Sequence, residues 1–410
     1  MNYNRTLSRK ATYQINIKKI AIWLYALCAV CNVWLAFNSS KYSPLYEMVT
    51  SLIVYLTPLF GVAILLVSKH TRIKRENLLF IILPTWYWLL LVFNTREGYS
   101  GDWIVSLITI AIFLVLDDET KMSIFQKFYY IIQAQNLVAV LIYLAFILNL
   151  RFIFTRVPFY YNDTSLGYYY LKVGIWGIVS NDMTLSYRLC GIFNEAGGLG
   201  TICALLFAGT FKFTRPFEKT LLLATIVFSF SFAGYLILFI FFGIYLVKKD
   251  IRNILWLVLL VVFFLSIPNI DWHNDALNIL AQRFSLVNGG LSGDNRTTNL
   301  FDSRFNEMLH SSKIWLGYGA GYSLAPGVLS YKMLIVEFGI VGALALFGSW
   351  IFAILKAAKK DLDCLLFGVI YILSLYQRPA PVRSLLGFVL IFGGFAYIRA
   401  MNSRFGRQSS

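Results

Sequence analysis

The chain has 410 residues, of which 58% are hydrophobic, 17% aromatic and only 14% charged. A soluble domain carries about a quarter of its residues as charges, so this composition excludes one and points to a polytopic membrane protein. The formal charge of +16 does not signal nucleic acid, because Lys and Arg stand in short clusters between apolar runs, where they fix membrane orientation. In chain order, the run 20–37 follows Arg5, Arg9, Lys10, Lys18 and Lys19 and reads as a retained first helix with a cytoplasmic N-terminus. Further spans are expected at 48–67, 78–93, 103–116, 125–148, 199–213, 221–247, 254–267, 328–355, 362–376 and 385–398.

The run 221–247 decides the topology, being long for one span and short for two. Read as a hairpin that turns within Ser229–Gly234, it puts Lys248, Lys249 and Arg252 on the inner side, together with Lys356, Lys359 and Lys360. The expected architecture is therefore all-α, with about twelve transmembrane helices and both termini cytoplasmic. Residues 1–148 hold the first five helices, 149–190 a large extracytoplasmic loop, and 191–267 helices six to nine. Residues 268–327 form a second such loop, and 328–410 the last three helices and a tail. Two loops on one face make a composite site possible.

The cysteines supply no disulfide framework: Cys28, Cys31, Cys203 and Cys364 lie in apolar runs and Cys190 stands by the loop. The Cys28-x-x-Cys31 spacing, inside an apolar helix, reads as packing residues rather than a redox pair.

Chemistry concentrates in two stretches. In RLCGIFNEAGGLG, Arg188 and Glu195 flank the re-entry of the first loop into the membrane. An Asn194 cap would put Glu195 in a first helical turn, where negative charge is favoured. The pair is then either a helix-start device or a functional site. Gly197, Gly198 and Gly200 weaken a helix and fit the close approach of a lipid or a neighbouring helix. In the second stretch, RFNEMLHSSKIWLGYGAGY, the residues Phe301, Phe305, Met308 and Leu309 form an apolar stripe that suits an interfacial helix on the membrane. Arg304 and Glu307 lie on another face, either as a solvated pair or with Arg304 joining Arg283 or Arg296 to clamp a phosphate. His310 can serve a phosphate or carry a proton, or be a surface histidine. Glu337, in EFGIVG, is a second functional carboxylate or a satisfied packing contact.

Other motifs carry less. Gly317, Gly319 and Gly321 do not make a dinucleotide fingerprint. Asp361-x-Asp363 reads as a helix cap, and Asp271-x-His273-x-Asp275 has no second histidine cluster, so no metal site is expected. Tyr160, Tyr161 and Tyr168 to Tyr170 suit sugar stacking or an interface belt equally.

These motifs resemble the Wzy-type O-antigen and capsule repeat-unit polymerases of the O-antigen polymerase and ligase superfamily. RLCGIFNEAGG is similar to that family's Arg-x-x-Gly-x-Phe-x-Glu-Pro-Ser pattern, with Ala196-Gly197 where Pro-Ser is common. DSRFNEMLHSSKIWLGYGAG resembles its Arg, helix and Gly-x-Gly turn, and EFGIVG its opening of a late span. The resemblance implies a GT-C-like, metal-independent, inverting glycosyltransferase of lipopolysaccharide or capsule biosynthesis, without a cofactor, in the bacterial cytoplasmic (inner) membrane. The donor it implies is a glycan on undecaprenyl diphosphate and the acceptor a lipid-linked repeat unit at the extracytoplasmic face. Arg188 and Arg304 would neutralise the diphosphate and Glu195 would be the base; on the functional reading of the residues themselves, Arg283, Arg296, His310 and Glu337 would bind substrate. Membrane lipids, a chain-length regulator and a flippase would be the partners, and nucleic acid would not.

Overall fold

The computed structural model describes residues 2–31, 44–68, 101–150, 155–161, 164–172, 176–181, 186–193, 195–273, 278, 281–282, 285–287, 290–291, 299–319, 322, 331–358, 361–377 and 384–406. The expected span at 78–93, and Asn194, Asp275, Arg283, Arg296 and Gly321, lie outside them. The chain is mostly helical and divides into two compact units. One comprises residues 1–32, 39–132 and 299–410, the other 33–38 and 133–298.

In the first unit, α1 (Asn2–Cys31), α2 (Pro44–Val67) and α3 (Gly101–Val115) pack in sequence. The contact is close at Gly61, where a Cβ would come within 2.7 Å of Ile112 Cγ2. The Tyr25 hydroxyl donates to the Thr109 carbonyl across the helices, so a buried phenol keeps a partner. Next comes α4 (Asp118–Ile147), whose first half belongs to this unit; Asp117 caps it by accepting from the Thr120 N–H at 2.7 Å.

The unit ends with five elements. They are α9 (Asn299–Leu309), the short α10 (Lys313–Leu316), α11 (Lys332–Ala358), α12 (Leu362–Gln377) and a last helical run, α13 (Leu385–Phe388) to α14 (Gly394–Gly406). A π-helical turn, Val389–Gly393, joins α13 to α14.

The second unit departs from the all-α expectation. The first loop is a four-stranded antiparallel meander, β1 (Thr155–Tyr161), β2 (Thr164–Lys172), β3 (Trp176–Asn181) and β4 (Ser186–Gly191), in that order. Its Tyr, Val, Thr and Trp content has the β preference that a reading tuned to apolar length passes over. A second, two-residue hairpin pairs β5 (Leu286–Val287) with β6 (Gly290–Leu291).

Three helices follow the meander, α5 (Ala196–Thr210), α6 (Pro216–Ser229) and α7 (Phe232–Lys249), and then α8 (Ile254–Ser266). The 221–247 run is interrupted at Phe230, which takes a left-handed φ of 46°, and Ser231 caps α7 by accepting from the Gly234 N–H. The chain reverses there. Lys219 Nζ lies 4.4 Å from the Phe211 ring centroid and Ser229 lies against Gly200, so α6 runs antiparallel to α5. Gly234 meets Gly200 while Phe241 stacks edge-on to Phe207 and Tyr245 to Phe211, so α7 runs alongside α5 in the same direction.

Among the described residues three helices, Asp118–Ile147, Lys332–Lys356 and Leu385–Arg404, are long and apolar enough to cross a membrane, and several shorter apolar helices accompany them. This is consistent with a membrane protein. None of the five cysteines is in a disulfide, and all five are buried.

Candidate functional site

Arg188 sits in a strand, not at the mouth of a helix. It occupies β4 opposite Val179, and the register continues through Tyr169 to Val157, so one row crosses all four strands. Its Nε–H donates to the Ser229 carbonyl at 3.2 Å and Nη2 to the Phe230 carbonyl at 3.1 Å. The last carbonyls of a helix have no partner within it and carry partial negative charge. A guanidinium fork is suited to them, so Arg188 holds the α6–α7 turn against the sheet.

β4 ends at Gly191, which takes φ +58°, and the chain then reaches Glu195. Glu195 is itself the N-cap of α5, at φ −140° and ψ 137°, and its carbonyl accepts from the Gly198 and Leu199 N–H groups. The helix thus begins one residue later than an Asn194 cap would set it. Its side chain makes no capping bond and is half-buried. At this position its charge still lies at the positive end of the helix dipole.

Gly200 of α5 is explained by a neighbouring helix. A Cβ on Gly200 would lie 2.3 Å from Ser231 Cβ and 2.4 Å from Ser229 Oγ, and one on Gly234 would lie 3.0 Å from the Gly200 carbonyl oxygen. The Ser231 hydroxyl also donates to the Gly197 carbonyl at 3.1 Å. Small residues are what permit backbones to approach this closely in an apolar solvent.

A buried polar chain backs the same turn. Gln135 and Asn136, on α4, are joined by a side-chain hydrogen bond, and Asn136 Nδ2 donates to Cys203 Sγ on α5 at 3.3 Å. Gln135 Oε1 is so close to Gly191 that a Cβ there would meet it at 2.5 Å. Two adjacent amides inside the apolar run 125–148 were a signal available in the sequence, since polar side chains are costly at that depth.

In the first unit, α9 does not turn its apolar stripe outward. Phe301, Phe305 and Met308 are buried on Val336 of α11, with Tyr318, Tyr322, Met333 and Ile335 around them, while Leu309 stays exposed. The reading of α9 as a helix lying on the membrane by that stripe is corrected accordingly: α11 supplied a better apolar partner. Asp302 anchors the same contact by accepting from Lys332 Nζ at 2.7 Å. Arg304, Glu307 and His310 are exposed.

The glycines of GYG and EFG interlock. Helix α11 is broken at Gly339, φ +63°, which bares carbonyls that Tyr318 and Gly319 use: their N–H groups donate to Val336 at 2.8 Å and Glu337 at 3.0 Å. A Cβ on Gly317 would meet the Glu337 carbonyl oxygen at 2.4 Å, and one on Gly339 the Trp315 carbonyl oxygen at 2.2 Å. This docking accounts for Gly317 and Gly339, while Gly319 takes φ +109°, a conformation that favours glycine. Glu337 itself is buried, as its neighbours imply.

Arg188 and Glu195 thus belong to one unit, and Arg304, His310 and Glu337 to the other. Asp361 and Asp363 both accept from Asn402 Nδ2, at 2.6 and 3.1 Å, and Asp361 also accepts from the Asp363 N–H, which agrees with capping. Asp271 accepts from Asn278 Nδ2 and the His273 N–H, bonds that hold its carboxyl below the usual carboxylate range. Among the described residues no group of three His, Cys, Asp or Glu is arranged to hold a metal. Protein-family models, curated proteins and solved structures gave no match to this chain.

Proposed function

We propose that the chain is a GT-C-like membrane glycosyltransferase of about twelve spans that polymerises O-antigen or capsule repeat units carried on undecaprenyl diphosphate. The observation that carries this reading is the Arg188–Glu195 stretch. A strand arginine and a half-buried carboxylate at a helix N-terminus flank one short turn; Arg188 is bonded to the α6–α7 turn, and Gln135 lies against Gly191. Glu195 is held there without a capping bond, in a setting that favours a negative charge.

In this reading Glu195 takes the proton from the acceptor hydroxyl as its oxygen attacks the anomeric carbon. The bond from that carbon to the diphosphate oxygen breaks on the opposite face, which inverts the centre. Charge develops on the leaving diphosphate, and preorganised cations lower the barrier at that spot. Arg304, exposed on α9, is assigned to it, with Arg283 and Arg296 as further phosphate ligands. Arg188 is assigned two duties, holding the α6–α7 turn and adding positive field. His310 and Glu337 are assigned to substrate binding.

The test is purified protein with its cognate lipid-linked repeat unit, with chelator present, read as a ladder on a gel. Wild type should give a ladder, and Glu195→Gln and Arg304→Ala should give none while melting as wild type does. Failure of folded wild type to make a ladder from authentic substrate would refute the proposal. In cells, loss of a polymerase leaves a lipid A core capped by one repeat unit, whereas bare core and lipid-linked polymer on deletion would instead assign the chain as a ligase.

A further inference from the structure

We infer that β4 is a re-entrant strand, guided by α4 to about the mid-plane of the bilayer, with its tip at Gly191 seated against the amide pair Gln135 and Asn136. Helix α4 supplies the depth scale, being one of the helices long and apolar enough to cross a membrane. Its run from Phe128 to Leu148 carries no charge and is bounded by Lys127 and Arg151. At about 1.5 Å per residue the run is about 31 Å long, close to the thickness of the hydrocarbon core, so the mid-plane falls near Val138. Leu137, Leu141, Leu144 and Ile147, at helical spacing, are exposed by 41% to 58% and mark the face turned to acyl chains.

Another face of α4 carries the strand. The Tyr143 hydroxyl donates to the Tyr187 carbonyl at 2.8 Å, and the Phe146 and Tyr187 ring centroids lie 4.9 Å apart. At the other end of β4, the three atoms that a Cβ on Gly191 would meet first all belong to Gln135. From Tyr143 to Gln135 is about 12 Å of helix, and from Tyr187 to Gly191 about 13 Å of strand, so the two descend together. Ala139 and Leu189, both buried, fall midway on the same two faces. Counted along α4, Gly191 lies about 20 Å below Leu148, just past the mid-plane, and Arg188 about 10 Å shallower.

Backbone that is not helical is tolerated at this depth only where protein covers it and its polar groups have partners. Leu189, Cys190, Ile192 and Phe193 are exposed by no more than 3%. The carbonyls of Tyr187, Arg188 and Cys190 accept from the Tyr143 hydroxyl, the Cys190 thiol and the Phe193 N–H. Strand β3 pairs along β4 as far as Gly177 opposite Gly191, so it enters as well. The buried amides serve this tip: Gln135 donates to Asn136, Asn136 to Cys203 of α5, and Gln135 Oε1 lies against Gly191. Polar side chains are costly at the mid-plane, and seating a strand end gives them a use there. The inference does not depend on the polymerase reading; where that reading holds, its chemistry takes place about 10 Å beneath the membrane boundary.

The test uses the full chain in nanodiscs and has two arms. Gly191→Ala should lower the melting midpoint by about 5 °C or more, from overpacking and a left-handed φ together. Adding Gln135→Ala should restore at least about a third of that loss, because the new methyl meets Gln135. No restoration would detach the tip from α4 and overturn the proposal. Depth is read with the native cysteines replaced and bimane on Leu137→Cys or Leu144→Cys. Lipids brominated near the acyl-chain end should quench the Leu137→Cys probe at least about twofold more than lipids brominated near the headgroup, and the Leu144→Cys probe in the reverse order. Stronger quenching of both by the shallow lipid would lay α4 at the surface and overturn the re-entry. Where cysteine replacement disturbs folding, hydrogen exchange of the wild type serves instead. The amides of residues 188–191 should then exchange as slowly as those of 137–141, and exchange at the rate of exposed backbone would refute a strand at that depth.

Discussion

Gly200→Ala is the sharpest probe of the α5 crossing. In an exposed helix, glycine to alanine gains up to about 1 kcal/mol from propensity. At Gly200 the new methyl must enter space held by Ser231 Cβ at 2.3 Å and Ser229 Oγ at 2.4 Å. Serine side chains are short and both flank the turn that Arg188 holds, so the backbone of α6 and α7 has to give. Overpacking of this kind costs about 1–3 kcal/mol, and loss of the bond from Ser231 to the Gly197 carbonyl adds about 1 kcal/mol. The net expectation is destabilisation by about 1–3 kcal/mol. In a unit of this size that lowers the midpoint by about 2–4 °C per kcal/mol. Gly348, on α11, has nothing within 4 Å of the same added atom, so Gly348→Ala should raise the midpoint slightly. Both variants would be melted in one detergent and followed by size-exclusion recovery, with Ser231→Gly combined with Gly200→Ala as the rescue. If Gly200→Ala and Gly348→Ala shift the midpoint in the same direction, the close crossing is refuted.

Arg188→Lys should destabilise the protein by about 1.5–3 kcal/mol, because an ammonium cannot serve the Ser229 and Phe230 carbonyls as a fork; an unchanged melt would remove the turn-holding role. Gly339→Ala and Gly317→Ala each combine a left-handed φ with a backbone contact, and each should reduce folded yield strongly, by more than about 3 kcal/mol. Wild-type yield of either would contradict the interlock. Asp302→Asn should cost no more than about 1 kcal/mol, and less in high salt, since the Lys332 pair is partly exposed; a larger, salt-independent loss on thermal melting would contradict this. The Asp271 carboxyl has its pKa lowered by Asn278 and His273, so the order it gives is present above the ordinary carboxylate pKa and is lost as pH falls through the lowered value. Hydrogen exchange at the His273 amide should rise, relative to its intrinsic rate, only in that acid window, and Asn278→Ala should move the window upward.

The sequence determined the solvent, the helices and one turn. Apolar runs of helical length, with charges confined between them, dictate segments that satisfy their own backbone in lipid; α2 to α8 and α11 to α14 fall close to expected runs, whereas α1, Asn2–Cys31, begins well before the run at 20–37. The SFSFAG segment also declared its break, since small residues and a serine cap weaken a helix in the middle of an apolar run. Arg188, Glu195 and Glu337 were legible as unusual because charge beside lipid is costly.

Tertiary structure decided what those residues touch. The meander around Arg188 depends on strands pairing, which apolar length does not encode. Arg188 donates to two backbone carbonyls, and backbone carries no sequence signature. The stripe of α9 could be satisfied by lipid or by Val336, and only the fold brought Val336 to it. The two glycine motifs look separate in the chain, and become one feature only because each removes the Cβ that would bar the other's backbone.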